Sequence, residues 1–188
     1  AVSGLTLILL SETPDRASWP FIAASTLMHY LYYAFMFHAY RLGDLSQVYP
    51  VSRGMAPALV ALGTFLLIGE TLPPLGLAGL AAVTLGIGVL ALQRGAAAAD
   101  PRALLAAGLL GLTIAGYSVA DGIGVRLSGD PTGYMGWLFL FESPVVIAVL
   151  AARRRNGTRF HARTFGIGLI GGLVSVIAYG VVLYAKTL

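Results

Sequence analysis

The chain has 188 residues, of which 57% are hydrophobic and 11% are charged, and its mean hydropathy is +0.83. So few polar residues cannot cover a soluble globule of this size, and the composition therefore predicts an integral membrane protein. The net charge of +4 comes largely from one arginine-rich loop, and indicates membrane topology rather than a nucleic-acid partner. Cysteine is absent, which excludes disulfides, thiolate metal sites and cysteine nucleophiles.

Apolar runs follow one another along the whole chain. They predict a helix end at 1–11 and six complete spans at 20–41, 46–69, 75–93, 103–125, 132–152 and 165–188. Backbone groups in lipid must be satisfied within each segment, and these runs are too uniformly apolar for barrel strands. We therefore expect an all-α integral membrane protein, a multi-span helical bundle.

The chain begins inside an apolar run and stops without a polar tail, so we expect it to be a fragment of a longer protein.

The run at 46–69 contains two prolines and leads to a carboxylate. Pro50 and Pro57 lie in its first half, and Glu70 follows about twenty residues of apolar sequence, the length that crosses a bilayer core. Because proline has no amide hydrogen, we predict a broken helix whose freed carbonyls at residues 46 and 53 need another donor. Glu70 is interpreted as a helix-end anchor.

A weak internal repeat supports a two-part organisation. Shifting the chain by 146 residues aligns three pairs of identical residues: Tyr33 with Tyr179, Ala39 with Ala185, and Leu42 with Leu188. This period predicts two five-helix units, and an odd number of spans inserts the second unit upside down, as in many transporters. The alternative is that any two helices rich in Ala, Leu, Gly and Tyr align tolerably.

Polar residues inside apolar spans are costly and mark functional positions. Helical spacing places them in one stripe on each of four spans: Ser25, His29, Tyr33, Met36 and Tyr40; Thr113, Tyr117 and Asp121; Tyr134 and Glu142; and Ser175, Tyr179 and Lys186. We expect these stripes to converge on a solute pathway that comprises His29, Tyr33, Tyr40, Tyr49, Pro50, Arg53, Tyr117, Asp121, Glu142 and Tyr179.

Within this predicted pathway, the tyrosines provide adaptable contacts for an amphipathic solute. Asp121, Glu142 or His29 would take up a proton, which makes proton or ion coupling an expectation. The alternative leaves both carboxylates structural, as caps or as partners of Arg126 and Arg53. A histidine inside a span is also often hydrogen-bonded only to a neighbouring helix.

Catalytic patterns are missing from the sequence. There is no Ser-His-Asp order, phosphate loop or metal-ligand cluster. His29 and His38 are nine residues apart on one predicted helix, about 13 Å along its axis, which argues against a shared haem. We therefore expect a protein that is not an enzyme and has no cofactor or metal.

Several short segments form a combined pattern: residues 39–44 (Ala-Tyr-Arg-Leu-Gly-Asp), 49–54 (Tyr-Pro-Val-Ser-Arg-Gly), 56–57 (Ala-Pro), 66–70 (Leu-Leu-Ile-Gly-Glu), 121–122 (Asp-Gly), 137–142 (Trp-Leu-Phe-Leu-Phe-Glu) and 178–180 (Ala-Tyr-Gly). Together these segments resemble EamA-type members of the drug/metabolite transporter superfamily. The likeness covers essentially the whole chain, and the pattern of a proline followed by Gly-Glu across one helix is its most specific part.

The resemblance implies a ten-helix carrier made of two inverted five-helix repeats. Residues 1–95 would be the remainder of the first repeat, from the end of helix two to helix five, and residues 102–188 would be helices six to eight. The implied function is secondary transport, by an exporter or permease, of a small metabolite, amino acid or drug-like solute by alternating access. A bacterial inner membrane is the expected location. The alternative is a non-transporting membrane scaffold or accessory subunit.

Two criteria disagree on orientation. Nine arginines lie on one predicted face, against three basic residues on the other; the nine are Arg41, Arg53, Arg94, Arg102, Arg153, Arg154, Arg155, Arg159 and Arg163, and the three are Arg16, Arg126 and Lys186. The positive-inside rule makes the first face cytoplasmic. The family resemblance implies the opposite placement for the 153–163 loop, so both orientations stay open.

Overall fold

The structure is a computed structural model that describes residues 2–93, 100–157 and 162–187. Every regular element in these ranges is helical: α1 (Val2–Leu9), α2 (Trp19–Leu42), α3 (Leu45–Ile68), α4 (Pro74–Gln93), α5 (Pro101–Arg126), α6 (Pro131–Arg155) and α7 (Ala162–Ala185), with a short 3-10 turn at Arg16–Ser18. The apolar runs therefore predicted each helix to within a few residues. The boundary at residue 95 and two arginines of the charge count, Arg94 and Arg159, lie outside the described ranges.

Five helices are long and apolar enough to cross a membrane by length and composition: Val48–Ile68, Pro74–Gln93, Pro101–Arg126, Pro131–Arg155 and Gly166–Ala185, among the residues that were described. The chain is thus a helical, membrane-like protein. Six complete spans were expected, and the difference is α2. It has 24 residues, but its histidine and tyrosine side chains lower its hydropathy below that of the other five.

The predicted break in α3 is wrong. The helix continues from Leu45 to Ile68 with Pro50 and Pro57 inside it, and it ends at Gly69, whose φ of 68° is left-handed. Each proline removes a single backbone hydrogen bond, and the rest of the turn keeps its own bonds. Glycine at the end accepts a backbone conformation that other residues rarely adopt.

The described chain divides into two compact units. Unit 1 comprises Ala1–Thr26 and Ala120–Leu188, and unit 2 comprises Leu27–Val119. Both α2 and α5 contribute residues to each unit. The proposed division into repeats at 1–95 and 102–188 is a different partition of the chain and stays a prediction.

In unit 1, α6 packs against α1 and α7. A buried core joins residues from four helices, namely Ile22, Val125, Tyr134, Met135, Leu138 and Leu183. The contact between α1 and α6 depends on glycines. A Cβ atom on Gly4 would lie 2.9 Å from the carbonyl oxygen of Gly136, and one on Gly136 would lie 3.0 Å from the amide nitrogen of Ile8. The two backbones are therefore in direct contact.

In unit 2, α3 packs against α4, and small residues again allow close approach. A Cβ atom on Gly54 would lie 2.7 Å from Cγ2 of Ile87, and one on Gly111 would lie 2.9 Å from the carbonyl oxygen of Ser52. Two buried clusters connect α3 to α2 and α5; their buried members are Ala39, Val48, Ala103, Ala106 and Ala107 in one, and Ala56, Leu110 and Ile114 in the other. The first half of α3 is thereby held against two other helices.

We predict that Gly136→Ala destabilises unit 1, because the added methyl would lie only 3.0 Å from the Ile8 amide nitrogen and the α1 backbone would have to shift by a few tenths of an ångström. The expected loss is about 1–3 kcal/mol in the free energy of unfolding. Gly168→Ala is the matched control: nothing lies within 4 Å of its Cβ position, so it should be neutral or stabilising by up to about 1 kcal/mol. Both variants are compared by SDS-induced unfolding in detergent, followed by circular dichroism. Equal midpoints for the two variants would show that the α1–α6 contact is not close.

Candidate functional site

The first candidate site, in unit 1, is built around a carboxylate. Asp121 lies on α5 and is completely buried. The Tyr134 hydroxyl donates a hydrogen bond to its Oδ1 atom at 3.1 Å, and the Tyr179 hydroxyl donates one to its Oδ2 atom. These tyrosines come from α6 and α7, so one side chain is held by donors from two other helices. We call these three residues the Asp121 cluster.

Local sequence explains how Tyr134 reaches Asp121. Tyr134 lies in the first turn of α6, whose N-terminus is capped by Asp130, which accepts a bond from the Thr132 amide at 2.8 Å. On α5, a Cβ atom at Gly124 would lie 2.6 Å from the Tyr134 hydroxyl oxygen and 2.7 Å from its ring. Only glycine at this position leaves room for the tyrosine to lie against α5.

Two cations lie near the Asp121 cluster: Lys186 directly follows the end of α7, and Arg126 is the last residue of α5. Burial lowers the pKa of Lys186, the Asp121 carboxylate partly offsets that shift, and the positive charge of Arg126 adds to it. The Arg126 side chain also donates a hydrogen bond from Nε to the Lys186 backbone carbonyl at 2.8 Å. The end of α7 is thus attached to the end of α5 by this hydrogen bond.

The second candidate site, in unit 2, is aromatic. His29 on α2 stacks on Tyr117 of α5, with ring centroids 4.0 Å apart and planes inclined by 23°. Tyr32 contacts Tyr117 edge-on at 6.2 Å and Tyr33 edge-on at 5.4 Å. His29 is buried and the tyrosines are half-buried. The four rings contact one another in a row, His29 to Tyr117 to Tyr32 to Tyr33, and aromatic rings pack well against flat or apolar groups.

A guanidinium group extends this second site. Arg53 on α3 donates a hydrogen bond from one terminal nitrogen to the Tyr32 hydroxyl at 3.4 Å, and its Cζ atom lies 5.6 Å from the ring centroid of Tyr49. Tyr40 on α2 lies close to Tyr32, Arg53 and Tyr49. The residues His29, Tyr32, Tyr33, Tyr40, Tyr49, Arg53 and Tyr117 are called the Arg53 cluster below.

The structure brings most of the predicted pathway residues into these two clusters. Asp121 and Tyr179 lie in the first, and His29, Tyr33, Tyr40, Tyr49, Arg53 and Tyr117 lie in the second. Pro50 is buried inside the continuous α3 helix, where it marks no break. Glu142 is half-buried on α6, two turns after Tyr134, or about 12 Å further along the helix axis.

Three residues in or beside the clusters were not assigned to the pathway from sequence. Tyr134 and Lys186 were placed on polar stripes, where each shares a helix face with an assigned residue, Glu142 or Tyr179. Tyr32 was outside every stripe. Its signal was the spacing of three residues from His29, which also places side chains on one face of a helix.

Comparison with known proteins identifies no relative. A scan against protein-family models, a search of curated proteins and a search of solved structures each found no match to this chain. The two clusters and the membrane-like helices are therefore the features of this chain that bear on its function.

We predict that Tyr134→Phe destabilises the protein by about 1.5–3 kcal/mol, because a charged acceptor loses one of its donors in a buried site. The matched control is Tyr184→Phe, since Tyr184 is exposed on α7; the expected change there is within about 0.5 kcal/mol. Unfolding in SDS and detergent mixtures measures both. A Tyr134→Phe variant as stable as Tyr184→Phe would mean that the hydroxyl does not support Asp121.

Lys186 is the only lysine in the chain, which makes it a direct reporter of charge near Asp121. After reductive ¹³C-methylation, the NMR titration should give a midpoint below the ordinary lysine value, because burial disfavours the ammonium. Asp121→Asn should lower this pKa further, since Asp121 raises it. Arg126→Gln should increase it, since Arg126 lowers it. Shifts of the same sign in both variants would contradict this assignment.

Proposed function

We propose that this protein is a secondary transporter that moves a small metabolite, amino acid or drug-like solute across a membrane by alternating access. The observation that carries the proposal is the burial of Asp121 in a chain with five membrane-length apolar helices. Ionisable side chains at such positions are rare and costly, and they usually mark ion or substrate pathways.

Protonation gives Asp121 two states with different hydrogen-bonding needs. As a carboxylate it accepts from both tyrosine hydroxyls. As a carboxylic acid it has a proton to donate and less acceptor capacity, so the hydrogen bond to one tyrosine weakens or reverses, with that hydroxyl becoming the acceptor. Because Tyr134 and Tyr179 belong to α6 and α7, uptake of a proton changes how these helices are held to α5. A proton can thus bias a helix arrangement, which is what coupled transport requires.

The Arg53 cluster supplies the contacts that an amphipathic solute needs. Its rings offer apolar faces, and its hydroxyl and guanidinium groups offer hydrogen bonds. The proposal also includes kinship with EamA-type carriers, which the sequence resembles. It further includes a ten-helix inverted repeat, a location in a bacterial inner membrane and a role as exporter or permease. Glu142 is a second coupling candidate within it.

The test is transport by the full-length protein in proteoliposomes with an imposed proton gradient and a broad panel of labelled metabolites, amino acids and amphipathic drugs. We expect gradient-dependent flux of at least one solute. Asp121→Asn should reduce this flux about tenfold or more, which corresponds to a rise of at least about 1.4 kcal/mol in the activation free energy of transport. Glu70→Gln is the control, because Glu70 is an exposed carboxylate beyond the end of α3.

No flux of any solute by the wild-type protein would overturn the proposal. If the same protein also cross-links to one stoichiometric partner, the scaffold alternative is favoured. Flux that is equal in Asp121→Asn and Glu70→Gln, at every pH, would leave transport intact but remove Asp121 from coupling, and Glu142→Gln then tests the second carboxylate.

A further inference from the structure

Arg53 carries a positive charge inside a membrane-length apolar helix. It is the sixth residue of the apolar stretch Val48–Ile68, which places its Cα atom about 7.5 Å along the axis from the start of that stretch. Arginine keeps its charge in proteins, and a charge within an apolar membrane-length helix needs compensation from its surroundings. What surrounds Arg53 therefore indicates what it is for.

The partners of Arg53 are neutral. Its one side-chain hydrogen bond within the described chain is the 3.4 Å contact with Tyr32, and its guanidinium lies over the ring of Tyr49. No carboxylate in residues 2–93, 100–157 and 162–187 forms an ion pair with it. A guanidinium has five N–H donors in a rigid fork, so most of its donors are not used by these contacts.

The aromatic surface continues away from Arg53. Tyr32 accepts the hydrogen bond from Arg53 and contacts Tyr117 edge-on, and Tyr117 in turn stacks on His29. A charged fork therefore lies at one end of a row of aromatic rings, all within unit 2. This combination suits a solute that has an anionic group at one end and a flat or apolar body behind it.

We propose that Arg53 binds an anionic oxygen group, either a carboxylate or a phosphoryl group, and that the rings of the Arg53 cluster bind the body of the same molecule. Two oxygens of such a group match the arginine fork in a bidentate arrangement. If the bound anion is the transported solute, this inference rests on the proposed function. It then narrows the substrates of the transporter to organic anions.

A lipid headgroup offers the same chemistry as a soluble anion. Arginine side chains near the end of a membrane helix extend towards the headgroups, and Tyr49 beside Arg53 is half exposed. Both sources place an anionic oxygen on the guanidinium. The experiment therefore separates a soluble anion from an anionic lipid.

Binding is measured on the purified full-length protein in phosphatidylcholine nanodiscs, by equilibrium dialysis with labelled phenylacetate, phenyl phosphate and inorganic phosphate. Phenylacetamide and 2-phenylethylamine are the neutral and cationic analogues. We expect the aromatic anions to bind and both analogues to bind at least tenfold more weakly. Arg53→Gln should weaken phenylacetate binding tenfold or more, and Arg53→Lys, which keeps the charge but loses the fork, should give an intermediate loss.

The charge-matched control is Arg102→Gln, which removes an exposed arginine at the start of α5 and should leave binding unchanged. If Arg53→Gln does not fold, Arg53→Lys and Tyr49→Leu carry the test. Tyr49→Leu should weaken phenylacetate binding, because the ring that holds the guanidinium is lost.

Equal binding by Arg53→Gln and Arg102→Gln, or no binding of any anion by the wild-type protein, would overturn the inference. Retention of phosphatidylglycerol that depends on Arg53, without binding of soluble anions, would assign the site to a lipid headgroup and overturn the substrate class. Anion binding without flux leaves this site standing while the transport proposal fails. Flux of a cation or neutral solute that is insensitive to Arg53→Gln would support the transport proposal and overturn the anion site.

Discussion

The two hydrogen bonds that Asp121 accepts are the constraint on which unit 1 depends. A buried carboxylate without donors is too costly to keep, so α6 and α7 must both present a hydroxyl to α5. Gly124 provides the space for one of them, and the cap at Asp130 sets the helix turn that carries it. Helix α6 also packs closely against α1 through two glycines. The same helix therefore positions both a donor to Asp121 and the N-terminal helix of the unit.

Tyrosine side chains stabilise a negative charge in one cluster and a positive charge in the other. In unit 1, tyrosine hydroxyls act as donors to a negative centre. In unit 2, a tyrosine hydroxyl acts as the acceptor for a positive centre, and a tyrosine ring gives it a cation–π contact. Tyrosine can do both because its phenol donates and accepts and its ring carries partial negative charge on its faces. This explains why apolar helices contain so many tyrosines next to so few charges.

The helices were predictable because their signal is local. Apolar runs bounded by Pro, Gly and charged residues predicted every helix to within a few residues, and four-residue spacing identified His29, Tyr117, Asp121 and Tyr179. Contacts between helices were harder to predict from the sequence. Tyr134 belongs to the Asp121 cluster, and Lys186 lies near it, because of the way α6 and α7 pack against α5. Helix packing has no signature in a single helix. The break predicted at Pro50 was wrong for a related reason, because neighbouring helices hold α3 continuous.

The polarity of α2 has a consequence for how the protein is made. Its 24 residues could cross a membrane by length, yet it is not among the five helices apolar enough to do so. Its polar side chains find their partners on segments that the ribosome makes later: Tyr32 with Arg53 on α3, and His29 with Tyr117 on α5. The polar side chains of α2 are therefore covered only when α3 and α5 are in place, so α2 depends on the assembled unit more than the five apolar helices do.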